Sequence, residues 1–409
     1  MSGSPTKMSA VIRNADIPRV GAGTPGGTWL RRYWLPVSRS DEIFDIPKSV
    51  KVLGEELVLF RAESGELGLV GQDCPHRGAS LEYADVEANG IRCPYHGWLF
   101  DVNGNCLEQP SEVKGKEFCW KVRQKAYPTK ELGGLVFAYL GPDRSDPPAL
   151  PNYSPLVDHG GTRMHEPVRY FDYNWFNFFE NSADPAHVWI LHGESAYGNG
   201  SWGSRFFDAK NPPDFEPVET DYGLKIVLSK PAHDKNGFVI DEMSLAFPSI
   251  LQIGDTEFVH GNADPADLDS RGSNYEHFMF ITPCDDQSFM MFTVDYYTGP
   301  QSDFFERLKE LRKKEIPKHN VKEYDQRPLM PFRGNVRTED IVTQGTQKLL
   351  GDRKEHLGTA DRGIIMLRRM VRTAIEDAML GRTPKGADLS AGKDGIVRID
   401  SFVGLRDSL

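Results

Sequence analysis

Cys74-Pro75-His76-Arg77-Gly78 and Cys93-Pro94-Tyr95-His96-Gly97-Trp98 are the two stretches that decide how the chain reads. Each opens on a cysteine and reaches a histidine within three residues, and sixteen residues separate His76 from Cys93. Thiolate and imidazole are the side chains that hold soft and borderline metals. Gly78 and Gly97 follow closely, as expected where backbone amides approach a metal-bound sulfur, so both pairs read as loop tips. Four such donors suit a tetrahedral zinc site. They equally suit a two-iron cluster with two cysteines on one iron and two histidines on the other. Zinc fingers usually keep Cys with Cys and His with His, whereas each pair here is mixed, and that favours the cluster.

The pattern resembles the Rieske [2Fe-2S] proteins in their oxygenase form. Respiratory Rieske proteins carry a further cysteine beside each ligand pair, joined as a disulfide; none stands there in this chain. The resemblance assigns Cys74, His76, Cys93 and His96 as the cluster ligands.

Outward from that stretch, 409 residues are too many for a small electron carrier and suggest two or three domains. Apolar content of 39% and aromatic content of 11% fit a globular protein with a large core. No apolar run reaches membrane-spanning length, and the start, Met1 to Lys7, has no signal-peptide core. A net charge of −11 argues against nucleic acid or an anionic membrane as partner. Two of the five cysteines are taken by metal; Cys106, Cys119 and Cys284 make no disulfide framework, which points to a reducing cytoplasm.

Gly21 to Gly27 reads as a loop leading into a short helix over Trp29 to Trp34. From Lys51 the pattern changes to short strands. Lys51-Val52-Leu53 and Glu56 to Phe60 flank Gly54-Glu55, a hairpin signal, and Leu67 to Val70 follows the Ser64-Gly65 turn. These strands predict a small antiparallel β-domain that carries the metal loops and closes with Leu135 to Leu140. Gly141 to Pro148, rich in proline, marks its boundary.

Beyond the boundary, Asn174 to Gly193 reads mostly as helix, with Pro185 as a break or a first-turn proline. Asp184 and His187 are three apart and share a helical face. His192 lies five beyond His187, about 140° round an ideal helix. Both imidazoles meet one metal only if the helix bulges or ends near His192, and Gly193 is a suitable terminator. Two histidines and an aspartate in this stretch suit a non-haem Fe(II) site with open positions for O2.

With the Cys74–His96 stretch, this segment resembles the α subunit of the Rieske non-haem iron oxygenases, whose mononuclear-iron motif is Asp-x-x-His-x-x-x-x-His. Asp184, His187 and His192 match it. Arg31-Arg32-Tyr33-Trp34, Leu53-Gly54-Glu55 and Cys74 to Ser80 look most like the branch of phthalate 4,5-dioxygenase and phenoxybenzoate dioxygenase. The resemblance implies an α+β chain: an N-terminal segment and helix over 1–35, an all-β Rieske domain over 36–145, and a catalytic domain over 146–409. The last is expected as a curved antiparallel sheet walled by helices. Its candidate strands are Leu224 to Leu228, Ser249 to Ile253, His277 to Ile281 and Phe289 to Val294.

The resemblance also implies a third iron ligand from a late helix, often the second acid of a pair. Thr338-Glu339-Asp340-Ile341-Val342-Thr343-Gln344 fits, with Thr338 as cap and Asp340 as ligand. Read blandly, Glu339 and Asp340 are first-turn acids favoured by the helix dipole. Asp285 and Asp286 sit between two strand patterns and read as a turn. By resemblance Asp184 is catalytic, steadying His187 through its carboxylate and reaching the second cluster histidine, His96, of a neighbouring subunit. The implied assembly is a homotrimer or a dimer of trimers without a small β subunit. The implied electron source is NADH, through a separate reductase carrying FMN and a plant-type [2Fe-2S] cluster. No Gly-rich dinucleotide fingerprint appears, consistent with that division.

Other features have bland readings. Arg307 to Lys314 is a charged face after Ser302, and Ile364, Leu367, Val371, Ala374, Ile375 and Ala378 have the spacing of a buried helical stripe. Phe176, Phe178, Phe179 and Trp189 suit an aromatic pocket or plain core, and Arg205 is a candidate for a substrate carboxylate. The expected function is a terminal oxygenase that dihydroxylates an aromatic, carboxylated substrate with O2. The same iron site also suits a monooxygenase that removes an O- or N-methyl group. An electron-transfer protein and a zinc-stapled binding module are the readings from other classes; a zinc protein is colourless, a Rieske protein red-brown.

Overall fold

The structure is a computed structural model that describes residues 11–193, 206–232, 236–254, 275–298, 336–389 and 392–408. Arg205 and the charged stretch from Arg307 to Lys314 lie outside the described residues.

The first helix, α1, runs Pro25–Leu30, upstream of the expected Trp29 to Trp34. Thr24 Oγ1 accepts the Gly27 amide at 3.0 Å and Pro25 takes the first turn, so the start signal lies in what the sequence suggests is loop. Gly26 and Gly27 are required there by close approach: a Cβ at Gly27 would lie 2.2 Å from the Gly21 carbonyl oxygen. Trp34 instead opens a strand, β1 (Trp34–Arg39), which pairs with β11 (Leu135–Tyr139), itself paired with β10 (Thr129–Leu132).

A second sheet joins β2 (Lys48–Val52), β3 (Glu55–Arg61), β4 (Leu67–Gly71) and β9 (Ala126–Tyr127) in that order. The β2–β3 turn is Leu53-Gly54, one residue earlier than expected, with φ of 51° and 79°. Both values are positive, as a two-residue hairpin turn of matching twist demands. Leu53 accepts this strained conformation because its side chain is fully buried and its backbone is tied down. Its N–H donates to the Pro283 carbonyl at 2.9 Å, and the Gly54 N–H to that of Cys284 at 2.7 Å. A third sheet, β5 (Asp85–Glu87), β6 (Gly90–Arg92), β7 (Leu99–Phe100) and β8 (Cys106–Glu108), brackets the second metal loop. Val58, Phe60, Val70, Ile91, Trp98 and Phe100 form a separate apolar cluster with Cys74 and Cys93.

The C-terminal part is built on a nine-stranded antiparallel sheet. Its strands are β12 (Thr162–His165), β13 (Arg169–Phe171), β14 (Asp214–Glu219), β15 (Gly223–Pro231), β16 (Phe238–Ala246), β17 (Ile250–Ile253), β18 (Tyr275–Asp285), β19 (Ser288–Tyr297) and β20 (Phe402–Arg406). The order is β12-β19-β18-β17-β16-β15-β14, with β13 also on β19 and β20 also on β16. All four candidate strands lie in it. Side chains alternate between faces along each strand. Phe278 and Phe280 of β18 meet Tyr153, which precedes the short helix α2 (Ser154–Val157), and Phe280 also meets Phe137 of β11. On the opposite face Phe289 of β19 packs on Phe171, Tyr173 and Phe178.

Helices cover that second face. The Asn174–Gly193 segment divides as α3 (Trp175–Asn181) and α4 (Ala186–Leu191), with Pro185 between them. Asn174 Oδ1 caps α3 by accepting the Phe176 amide at 2.9 Å. Two later helices follow, α5 (Val336–Gly345) and α6 (Arg362–Met379). Thr338 therefore lies within α5 rather than capping it. Leu367, Val371, Ala374, Ile375 and Ala378 are buried along α6, and Ile364 is partly buried, as the spacing predicts.

Candidate metal centres

The two Cys–His loops share one backbone design. In each, the cysteine carbonyl accepts the N–H of the glycine four residues on, Gly78 at 2.8 Å and Gly97 at 3.0 Å, and those glycines have φ of 75° and 74°. Only glycine takes that conformation without cost. Each cysteine N–H is also fixed, donating to the Ala79 and Trp98 carbonyls at 2.9 Å. Cys74 and Cys93 are both buried. The ring centroids of His76 and His96 lie 4.4 Å apart, and Trp98 stacks on His76 at 4.4 Å and 10°. Burial pushes the Cys74 thiol up to about 11, and the Cys93 thiol beside it adds to the rise; the amides of His76 and Arg77 oppose it. Two adjoining buried sulfurs and two adjoining imidazoles carried on the same pair of loops fit a [2Fe-2S] cluster, whose iron would hold the sulfurs as thiolates.

The second site assembles from α3, α4 and α5. His187 lies in α4, and His192 is its last, capping residue. The helix ends where the sequence requires it to end for both rings to turn to one point. One ligand atom from each of His187, His192 and Asp340 lies within 4.8 Å of the others. His192 Nε2 is 3.2 Å and His187 Nε2 4.0 Å from Asp340 Oδ1. Both rings are oriented from behind. His187 Nδ1 is hydrogen-bonded to the Asp184 backbone carbonyl, and His192 Nδ1 lies 2.8 Å from Glu339 Oε2. Carbonyl and carboxylate oxygens only accept, so both Nδ1 atoms carry hydrogen, and both Nε2 atoms lie on the side of Asp340, where they would give their lone pairs to a metal. Burial disfavours charge on His192, but Asp340 and Glu339 outweigh it and raise its pKa. Two imidazole nitrogens and one carboxylate oxygen gathered this closely fit a mononuclear Fe(II).

Asp184 behaves differently from the expectation. Its carboxylate does not accept from His187; Oδ1 caps the Ala186 amide at 3.0 Å, and the backbone carbonyl serves the imidazole instead. Pro185 interrupts the helix, so Asp184 and His187 do not share a helical face. Burial raises the Asp184 carboxyl above the ordinary range.

Two neighbours escape the sequence reading. Asn181, the last residue of α3, places Nδ2 3.1 Å from His187 Nε2 and 3.5 Å from Asp340 Oδ1. Glu339, 1% exposed, stands behind His192. Adjacency to Asp340 is the sole trace of its role in sequence. A further His–carboxylate group, Glu166, His277 and Asp295, also has donor atoms within 4.8 Å. Its acids already accept from neighbours, Asp295 from Tyr275 at 2.5 Å and His277 at 2.7 Å, and Glu166 from Arg169 at 2.6 Å.

Comparison with known proteins agrees with these centres. The family model of the Rieske [2Fe-2S] domain matches residues 33–128. The chain is 35% identical to phenoxybenzoate dioxygenase subunit alpha of Ectopseudomonas oleovorans, over 94% of its own length and 90% of that protein's. It is 34% identical to the tert-butanol monooxygenase / tert-amyl alcohol desaturase oxygenase subunit of Aquincola tertiaricarbonis, covering 91% and 77%. It is 32% identical to the 5,5'-dehydrodivanillate O-demethylase oxygenase subunit of a Sphingobium strain, covering 92% and 83%. Among solved structures, dicamba monooxygenase bound to dicamba superposes with a TM-score of 0.63 at 18% identity, over 86% of this chain and 99% of that one, a likeness of fold. The chain belongs to the Rieske non-haem iron oxygenases, as a terminal oxygenase (α) subunit of the branch that holds the phenoxybenzoate and phthalate dioxygenases.

Proposed function

We propose that the chain is the oxygenase component of a system that uses O2 and NADH-derived electrons to dihydroxylate an aromatic carboxylate. The observation that carries the reading is the convergence of His187, His192 and Asp340 in a chain that also holds the Cys74–His96 loops. Cys74, His76, Cys93 and His96 would hold a Rieske cluster, which when bound would supply electrons singly at a potential raised by the two histidines. His187, His192 and Asp340 would hold Fe(II), whose chemistry would be O2 binding and activation. The chain's own residues position these centres. Asn181 narrows the approach to His187, the Asp184 carbonyl and Glu339 fix the two rings, and Phe178, on the face of Phe171 and Phe289, supplies apolar surface on α3.

The dioxygenase reading draws on the phenoxybenzoate relative. Monooxygenation or O-demethylation is the second reading, because two relatives of similar identity are named for those activities. Turnover of a panel of aromatic carboxylates and methoxyarenes, with a phthalate-dioxygenase-type reductase, NADH and 18O2, separates them. A cis-dihydrodiol carrying two labelled oxygens is expected, and stoichiometric formaldehyde without dihydrodiol would overturn the dioxygenase reading. Asp340→Ala should lose mononuclear iron while retaining the Rieske absorption bands. Full iron content and turnover in that variant would rule out Asp340 as ligand.

A further inference from the structure

We infer that Glu339 is a positioning residue for the mononuclear iron, holding His192 through a carboxylate–imidazole hydrogen bond. The inference rests on the reading of His187, His192 and Asp340 as the iron ligands, and adds a charged group behind one of them.

The two histidines are held unequally. His187 is hydrogen-bonded to a neutral backbone carbonyl, which any residue at 184 would supply. His192 has a carboxylate oxygen 2.8 Å from Nδ1, supplied by a side chain 147 positions away in sequence. Both partners of this second contact are buried, their side chains 5% and 1% exposed. A hydrogen bond to an ionised acceptor is roughly twice as strong as one between neutral groups, and burial strengthens it further. It fixes the tautomer, aims Nε2 at Asp340, and increases the electron density that nitrogen can give to a metal.

Glu339 and Asp340 are consecutive on α5, which ties the two roles together mechanically. Asp340 Oδ1 lies 3.2 Å from Nε2 of the same ring that Glu339 holds at Nδ1. The imidazole of His192 is thus gripped at both nitrogens by one turn of one helix. The Thr343 hydroxyl donates back to the Glu339 carbonyl at 2.9 Å and is also 3.3 Å from that of Asp340, and α5 is tied to α3 through Asn177 and to the segment before α3 through Tyr173. Any movement of α5 would carry Asp340 and the His192 ring together. A dipole-favoured acid at the start of a helix would face water; Glu339 does not.

The test is Fe(II) affinity rather than turnover. Wild type and Glu339→Gln, each with its Rieske cluster intact, would be stripped of mononuclear iron and titrated anaerobically with Fe(II) against a chelator. Co(II) would be titrated in parallel, its visible ligand-field bands reporting the geometry of the bound site. Gln keeps the size and an acceptor oxygen but removes the charge. Loss of such an outer partner costs about 10- to 100-fold in metal affinity. A weakening of at least about tenfold in Glu339→Gln, with shifted Co(II) bands and unchanged Rieske absorption, is expected. Affinity and Co(II) bands equal to wild type would overturn the inference while leaving the iron-site reading intact. Absence of tight Fe(II) binding in wild type would overturn that reading, and this inference with it. Glu339→Ala serves as a second variant. A larger loss than in Gln is expected, and wild-type affinity in a folded, red-brown Ala protein would be equally decisive against it.

Discussion

Asp184 concentrates the residue-scale chemistry of this enzyme because its backbone and side chain do separate jobs. The carbonyl orients His187, and the carboxylate caps the Ala186 amide. Asparagine caps about as well as aspartate and leaves the carbonyl in place. Asp184→Asn should therefore fold, bind both metals and keep His187 oriented. What it removes is the charge, which we propose acts on His96 of a neighbouring copy. The expected outcome is a cluster that still reduces with NADH and reductase but is reoxidised by O2 and substrate at least about tenfold more slowly. Stopped-flow absorbance of the cluster measures this directly, and wild-type reoxidation would send the electrons by another route.

At the scale of elements, α3 is anchored by buried charge. Glu180 binds Arg368 of α6 at 2.8 Å and also pairs with Arg353, while Arg368 reaches Glu355 at 2.6 Å and Arg353 reaches Asn177 at 2.5 Å. Glu180 and Arg368 are both almost wholly buried. Removing one member of a buried pair leaves an uncompensated charge and costs about 3–5 kcal/mol. Arg368→Ala should lose that much in denaturant unfolding, whereas Arg369→Ala, on the exposed face of the same helix, should change stability by under about 0.5 kcal/mol. Equal effects would deny the network its role. On β18, burial lifts Glu276 to about 7, with Asp158 adding to the rise and Ser154 opposing it. The folded state then holds a proton that the unfolded chain releases near 4.5, so stability falls as pH rises between those values. Glu276→Gln should stabilise the protein by about 1–3 kcal/mol at pH 8 and little at pH 4. Unfolding midpoints at the two pH values measure it, and a pH-independent effect would contradict the mechanism.

For the whole molecule, the arrangement of two centres in one chain raises the question of which cluster feeds which iron. We propose that a ring of copies answers it, since heterologous contacts close into a ring when the rotation permits. The enzyme is expected to be a trimer or dimer of trimers by light scattering, and an active monomer would refute this. Complementation tests the same point functionally. Cys74→Ala homomers should lack the cluster and Asp340→Ala homomers the iron, so neither should turn over. Refolded or co-expressed mixtures should regain activity if electrons cross between copies, and mixed oligomers without activity would confine transfer to single chains.

Both candidate metal centres were legible from the sequence wherever their expected ligands are local. Cys74 to Gly78 and Cys93 to Gly97 are short loops whose φ-positive glycines dictate their own geometry, and Asp184 to His192 advertises its spacing within nine residues. The four sheet strands were legible for a similar reason, since alternation of side chains is a property of consecutive residues. The helix near residue 30 was misplaced because its start depends on the Thr24 cap and on glycines pressed against the Gly21 and Arg19 carbonyls, contacts that no pattern of apolar residues reports. Folding alone decided what stands behind His192 and beside Asp340. Glu339 meets His192 across 147 residues, Asn181 meets Asp340 across 159, and β18–β19 register puts His277 opposite Asp295. Spacing along a chain fixes which side chains share a loop or a helical face; which carboxylate comes to lie behind which imidazole is fixed by how separate helices and strands pack, and that is set by the whole core at once.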